Sequence, residues 1–300
     1  MSEVELRELR LFLVLAQELH FGRAAERLGV TTSRVSQTLV VLERKLGRQQ
    51  LFHRTSRVVT LTEAGSTLQA ELLPVIADVD RVVRRAQVRG SGPGVVRVGL
   101  LNAASGVKVL THAIERFETT YAGATVQLST TPFADRLGPL RRREVDLLVT
   151  RLPLDQPDIL IGPVLSNADQ RVVMVGRTHP LAGHAALSIE DLVGHVVRRP
   201  HGLVPELAAA TCPATTPSGK KIRFVDVPVD DNAELLFILA RGRLIHPTVE
   251  PFAEHFQHHD VVSVPLRDLA PSACALAHLR DDDPARDAFI AVVEELLARS

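Results

Sequence analysis

Cysteine is scarce in this chain. Cys212 and Cys274 are the only two in 300 residues, too few for a disulfide framework, and their number fits a reducing cytoplasm. Nothing beside either one indicates a lowered thiol pKa, so a redox pair has no support. Long apolar runs are missing as well. The longest early one, Leu11 to Ala16, is far too short to span a bilayer, and MSEVELRELR contains no apolar signal core. A cytoplasmic protein without membrane association is expected. There is no G-x-G-x-x-G, no P-loop, no G-x-S-x-G elbow and no Ser/His/Asp set in a recognisable context. Neither an enzyme nor a bound cofactor is therefore expected. Repeats and low-complexity tracts are absent too. What remains is ordinary soluble composition, 45% hydrophobic and 23% charged, at a length that suits two domains.

The net charge is zero, but it is unevenly distributed. Residues 1–89 carry 14 basic against 10 acidic side chains, and residues 90–300 carry 21 against 25. Within 19–62 the ratio sharpens to 8 against 2, an excess suited to phosphates or, equally, to a solvated face. Arginine supplies 31 of the 35 basic residues throughout the chain, so its abundance alone says nothing about nucleic acid.

GSGPG at 90–94 is the one clear linker. Ahead of it, Leu6, Leu9, Phe12, Leu13 and Ala16 predict a first helix near 5–19. Arg23 to Leu28 predicts a second, ended by Gly29, and Ser33 to Leu46 a third, with Thr31 or Thr32 as N-cap. LFHRTSRVVTLT predicts a hairpin. A long helix follows from Thr62 towards Gln87, with an apolar 3–4 seam at Gly65, Leu68, Leu72, Val75, Val79, Val82 and Ala86 that suits a partner helix. Pro74 predicts a bend in it. Behind the linker, apolar strands at 95–101, 125–131 and 145–152 alternate with helices near 107–121 and 133–144. The pattern restarts at QRVVMVG (170–176), KIRFVDV and ARGRLIHPT, and closes with a strand near 273–279 and a helix from 284 to 299. Such alternation predicts parallel sheet covered on both faces, in two lobes with a cleft between them.

On the third helix Val35, Leu39, Leu42 and Leu46 form a buried stripe, which leaves Ser33, Arg34, Gln37 and Thr38 on another face. Solubility alone favours Glu and Lys there. Short hydroxyls, an amide and a guanidinium suit base edges and phosphate instead. Helix, glycine turn and helix match the helix-turn-helix layout, although plain helical hairpins share that composition.

FGRAAERLGVTTSRVSQTLVVLERKLG followed by LFHRTSRVVTLTEAG closely resembles the amino-terminal domain of LysR-type transcriptional regulators, and HPLA at 179–182 and the order of the rear elements are also like that family. The resemblance implies an α/β chain overall. A winged helix-turn-helix (1–61) would be followed by a dimerising linker helix (62–89), a hinge (90–94) and a two-lobed α/β effector domain (95–300) resembling periplasmic binding proteins. Lobe I would take about 95–165 and 270–300, and lobe II about 166–269. Carried over by position, Thr32, Ser33, Arg34, Ser36, Gln37 and Thr38 would face DNA, while Arg54 and Arg57 would flank the wing. Two departures stand out. Arg48, Gln49 and Gln50 number three where the family usually has two, and Arg34 stands where a small residue or proline is usual. The implied partners are double-stranded DNA carrying an interrupted inverted repeat, a small-molecule effector, further copies in a homodimer or homotetramer, and RNA polymerase as a candidate contact.

Ligands of two-lobed α/β folds bind beyond the carboxyl ends of the strands. That rule selects Asn102, Ala103 and Ser105, then Thr130 and Thr131, then Thr150 and Arg151; in the second lobe it selects Arg198, Arg199, His246 and Thr248. Hydroxyls with arginines suit an anionic effector such as a carboxylate. His255 and His259 stand i, i+4 near Glu254, His258 and Asp260, but no third ligand is specified, so no metal is expected.

Overall fold

Apolar residues spaced three and four apart draw the front of the chain into three short helices. The computed structural model describes residues 3–54, 58–88, 94–100, 106–132, 135–199, 202–227, 229 and 232–299. Helices α1 (Leu6–Glu18), α2 (Phe21–Leu28) and α3 (Thr32–Lys45) close around Phe12, Leu15, Leu39 and Leu42, all fully buried. At about 1.5–3 kcal/mol for each such side chain, this core is what holds the helices together. Helix α2 starts at Phe21 rather than Arg23 because His20 caps it, its Nδ1 accepting from the Gly22 and Arg23 N–H groups at 3.1 and 3.2 Å. Gly29, at φ 64°, ends α2 in the left-handed conformation. Thr31 caps α3 by accepting from the Arg34 N–H at 3.2 Å.

Strands β1 (Phe52–Arg54) and β2 (Val59–Leu61) pair antiparallel, and Phe52 meets Phe12 edge-on at 5.6 Å. Helix α4 (Glu63–Val88) runs through Pro74 as one helix. Leu68 and Leu72 of its apolar seam pack on the front core, so the first half of that seam serves its own domain, whereas Val75 and Val82 stay exposed.

Leu51 joins three of these elements. Its N–H donates to Glu43 Oε1 at 2.9 Å, its carbonyl accepts from the Thr62 N–H at 3.0 Å, and a methyl at Gly65 would overlap that carbonyl. A second tie is buried. Lys45 Nζ lies 2.8 and 3.0 Å from the Glu8 carboxylate and 2.7 Å from the Glu3 carbonyl oxygen. Burial pushes the Glu8 carboxyl up, but the Glu5 N–H, Lys45 and Arg7 together hold it below its ordinary value.

Residues 88–300 form a second unit. It contains β3 (Val95–Leu100), α5 (Val107–Thr120), β4 (Thr125–Thr130), the single turn α6 (Gly138–Arg141), β5 (Leu147–Arg151) and β6 (Ile159–Asp169). The chain then crosses to a second lobe made of β7 (Arg171–Gly176), β8 (Val196–Arg198), α7 (Pro205–Thr211), β9 (Arg223–Val225), α8 (Asn232–Ala240), β10 (His246–Val249), α9 (Glu250–His255) and β11 (Val261–Pro265). It returns in β12 (Ser272–Leu279) and finishes with α10 (Pro284–Leu297). Helices α5 and α10 pack on the first-lobe sheet, where Phe117 and Phe289 meet edge-on at 5.3 Å. Among the described residues no helix is long and apolar enough to cross a membrane.

The sheets correct the parallel expectation. In the order β4-β3-β5-β12-β6, β3 is parallel to β4 and β5, but β12 is antiparallel to both of its neighbours. In the second lobe β7 lies antiparallel between β10 and β11, and β8 and β9 pair parallel. Every residue of β7 is buried, and a strand covered on both faces reads as one apolar run whichever way its neighbours point. Strand β6 is absent from the sequence reading because Gly162, Pro163 and Asn167 punctuate it; it is an edge strand, with register shifts against β12. The helix expected over 133–144 reduces to α6, which has Pro139 in its first turn and is closed by Arg143 at φ 56°.

Gly65→Ala is expected to destabilise the front unit by about 1–3 kcal/mol, read as an earlier urea midpoint; an unchanged midpoint would show that the Leu51 carbonyl gives way. Because the folded-state value of Glu8 is lowered, its pair contributes fully above the ordinary carboxylate range and loses that contribution as pH falls through the lowered value. The stability gap between wild type and Glu8→Gln should therefore be widest at neutral pH and close in acid, as measured by denaturant unfolding across pH.

Candidate functional site

The buried stripe of Val35, Leu39 and Leu42 obliges the opposite face of α3 to point outward. Thr32, Ser33, Arg34 and Gln37 are exposed there, with Ser36 and Thr38 half-buried at its margin. Arg54 ends β1 opposite Val59 in the hairpin ladder, while Arg57 lies outside the described residues. Arg23 and Arg27 are tied to Glu18 at 3.2 and 2.9 Å, so part of the basic excess is matched within the domain. The outward face of the first half of α3 carries hydroxyls, an amide and one guanidinium, and Val40 and Arg44 are exposed further along the same helix.

In the rear unit a cavity of about 80 Å³ opens between the two lobes. Of the residues selected from sequence, it gathers Arg151, Arg198, His246 and Thr248. Others are not brought to it. Thr130 is exposed at the end of β4, and Thr150 is buried within β5. Thr131 donates its hydroxyl to the Leu100 carbonyl at 3.2 Å. Arg199 lies over the Phe224 ring, 4.8 Å from its centroid. Asn102, Ala103 and Ser105 lie outside the described residues. The cavity also takes in Arg136, Arg171 and Ser272, which the strand-end rule does not select.

Four guanidiniums thus line one small space, and none of its described lining residues is acidic. Asp169, behind the wall, pairs with Arg151. The Nε of Arg171 donates to the Ala270 carbonyl at 3.1 Å, and that of Arg198 to the Val227 carbonyl at 3.2 Å. Burial and the charge of Arg198 push Arg136 down to about 10. Burial lowers Arg171 and Arg198 as well. His246 is pushed down to about 3 by burial and by the charges of Arg198 and Arg136, so its ring is neutral. Two buried atoms of the wall, His246 Nδ1 and Ser272 Oγ, have no hydrogen-bond partner. Guanidiniums, a neutral imidazole and a hydroxyl around a half-open space are equipment for holding an anion.

Neither of the other sequence constellations forms a comparable site. Cys212 and Cys274 are buried in different cores, and burial pushes their thiols up to about 12 and about 11. Helix α9 ends at His255, so His255 and His259 do not share a helical face. His258, His259 and Asp260 do bring their ligand atoms within 4.8 Å of one another, with His259 Nε2 already 2.8 Å from Asp260 Oδ2.

The front unit is a winged helix-turn-helix carrying a long helix, and the rear unit is a two-lobed α/β domain with a ligand-sized cavity. This pairing defines a class. The family model of the bacterial regulatory helix-turn-helix protein, lysR family, matches residues 6–66, and that of the LysR substrate binding domain matches 89–298. The chain belongs to the LysR family. It is 30% identical over 190 residues to the uncharacterized HTH-type transcriptional regulator YnfL of Escherichia coli (strain K12), covering 63% of each chain. It is 34% identical over 189 residues to the HTH-type transcriptional regulator XapR of the same organism, again covering 63% of each. These matches span less than two thirds of either relative. Among solved structures it is similar to CbnR, a LysR family transcriptional regulator, at a TM-score of 0.69 and 18% identity over 98% of this chain and 99% of that one. It is also similar to full-length CbnR complexed with its target DNA, at a TM-score of 0.66 and 19% identity over 98% and 100%. Identities this low speak for the fold.

With His246 at about 3 and Arg136 at about 10, the cavity should keep its charge across neutral pH. Calorimetric binding of sulfate, an anion that does not titrate in this range, is expected to be constant from about pH 6 to 8; a change of roughly tenfold would reveal a titrating wall group.

Proposed function

We propose that this chain is a sequence-specific DNA-binding transcriptional regulator whose rear unit binds a small anionic effector. One observation carries the first half of this reading: α3 buries Val35, Leu39 and Leu42 completely while exposing Ser33, Arg34 and Gln37. A solubilising helix face has no need of that chemistry, and a major-groove face does. The arginine-lined cavity supports the second half.

The working division is a DNA-binding domain at 1–61, a linker helix at 62–89, a hinge at 90–94 and an effector domain at 95–300, with lobe I near 95–169 plus 270–300 and lobe II near 170–269, since β6 carries the first-lobe sheet four residues past the expected boundary at 165. Val75, Val82 and Val83 remain exposed on the second half of α4, which supports pairing of that helix in a homodimer or homotetramer. Two recognition helices related by two-fold symmetry suit an interrupted inverted repeat. The effector acts by binding one arrangement of the rear units better than another. RNA polymerase is the natural further contact of such a regulator, and the cytoplasm its place of action. The two relatives named above are described as transcriptional regulators, which favours regulation over catalysis.

Footprinting on DNA flanking the protein's own gene tests the reading. Arg34→Ala and Gln37→Ala should each weaken specific binding by about 1–3 kcal/mol, while competition with unrelated DNA leaves the wild-type footprint in place. Wild-type footprints from both variants would remove α3 from the groove, and a footprint abolished by unrelated DNA would mark a sequence-neutral binder.

A further inference from the structure

Resting on the effector role proposed for the cavity, we infer that its ligand is a short linear dicarboxylate. One carboxylate is held by Arg198, Arg136 and His246, and the other by Arg171, Arg151 and Ser272.

The cationic groups fall into two sets, which the sheet register separates. Arg171 opens β7 opposite Val249, whereas His246 stands opposite Met174 further along the same ladder. The three steps between them are an odd number, so their side chains leave opposite faces of the sheet and reach the cavity from different sides. Ser272 pairs with Asp169, two residues before Arg171, and the Asp169 carboxylate holds Arg151. Those three residues therefore mark one end of the space. Arg198 is tied to β10 at the other end, because its N–H donates to the Ile245 carbonyl at 2.8 Å, next to His246. Arg136 belongs with them, since its charge and that of Arg198 both bear on His246.

Each end also holds one buried polar atom without a partner, His246 Nδ1 at the first and Ser272 Oγ at the second. Leaving such an atom unsatisfied is unfavourable, so a ligand group that reached either one would be favoured. Other parts of the wall are apolar, including Leu207, Val229 and Phe252. A monocarboxylate meets one end and leaves the other unfilled. A phosphate monoester concentrates its charge at one end and sets its polar remainder against the apolar wall. A dicarboxylate with a plain carbon chain answers both ends and the middle, and guanidinium forks match its planar groups. Length is bounded by the cavity, about 80 Å³. Each end combines both lobes, Arg136 with Arg198 and His246 and Arg171 with Arg151 and Ser272, so a ligand seated at both ends bridges the lobes twice.

The test is calorimetric titration of the full chain with succinate, glutarate and adipate, against butyrate and valerate and against inorganic phosphate, at one pH and ionic strength. At least one dicarboxylate should bind ten or more times tighter than the monocarboxylate of equal length. Arg171→Gln and Arg198→Gln should each reduce it to the monocarboxylate level, with operator binding serving as the check that each variant is folded. The wild-type series decides the matter if a variant fails to fold. Dicarboxylates and monocarboxylates within threefold of each other, phosphate binding tighter than every dicarboxylate, or no carboxylate binding at all would each overturn the assignment. If specific operator binding persists in any of those cases, the regulator reading stands without its dicarboxylate. If the chain ignores operator sequence, the regulator reading fails whatever the cavity holds.

Discussion

The ladder pair Asp169–Ser272 is the point on which the rear unit turns. At Asp169 the chain leaves the first-lobe sheet, two residues later it has begun β7, and at Ser272 it comes back. Both crossings therefore run side by side, and the space between the lobes must open next to them. Asp169 anchors Arg151 there, and Arg171 follows it as the first residue of the second lobe. Part of the cavity's composition follows from this constraint: Arg151, Arg171 and Ser272, all beside the crossing, line it.

Much of the front unit was readable in the chain, because helical periodicity and capping are local. The stripe of Val35, Leu39 and Leu42 fixes which way Arg34 and Gln37 face, and Gly29 and Thr31 mark the turn between helices. The rear was readable as α/β and no finer. Strand direction is a property of neighbours distant in sequence, and β7 reads identically with parallel or antiparallel partners. Strand β6 was hidden by Gly162 and Pro163, which an edge position tolerates. Arg136 sits where the pattern suggested a helix, and Arg171 reads as the polar lead-in to an apolar run. Arg198 and Arg199 were equally plausible from sequence. They are consecutive at a strand end, where side chains alternate, so one enters the cavity and the other rests on Phe224. A search for charged residues at the points where the chain changes lobe would have found Arg171.

Arginine richness was uninformative as composition, yet its chemistry matters locally. Four cations crowded into a partly buried space repel one another and lose hydration, conditions under which lysine readily gives up its proton. Guanidinium keeps its charge: even Arg136, the one pushed down to about 10, remains protonated at neutral pH. A chain that uses arginine almost everywhere can build such a wall without losing its charge.

The Leu51 junction has a mechanical meaning. One residue is bonded to α3 through Glu43, opens the hairpin, and is pressed by Gly65 against the first turn of α4. Three fixed contacts at one residue tie the direction of α4 to that of α3 more closely than a single link would. Helix α4, at 26 residues, is roughly 39 Å long with Pro74 inside it. The front unit is therefore geared to report angle, so a switch acting through it can work by re-aiming α3 without unfolding or remodelling it.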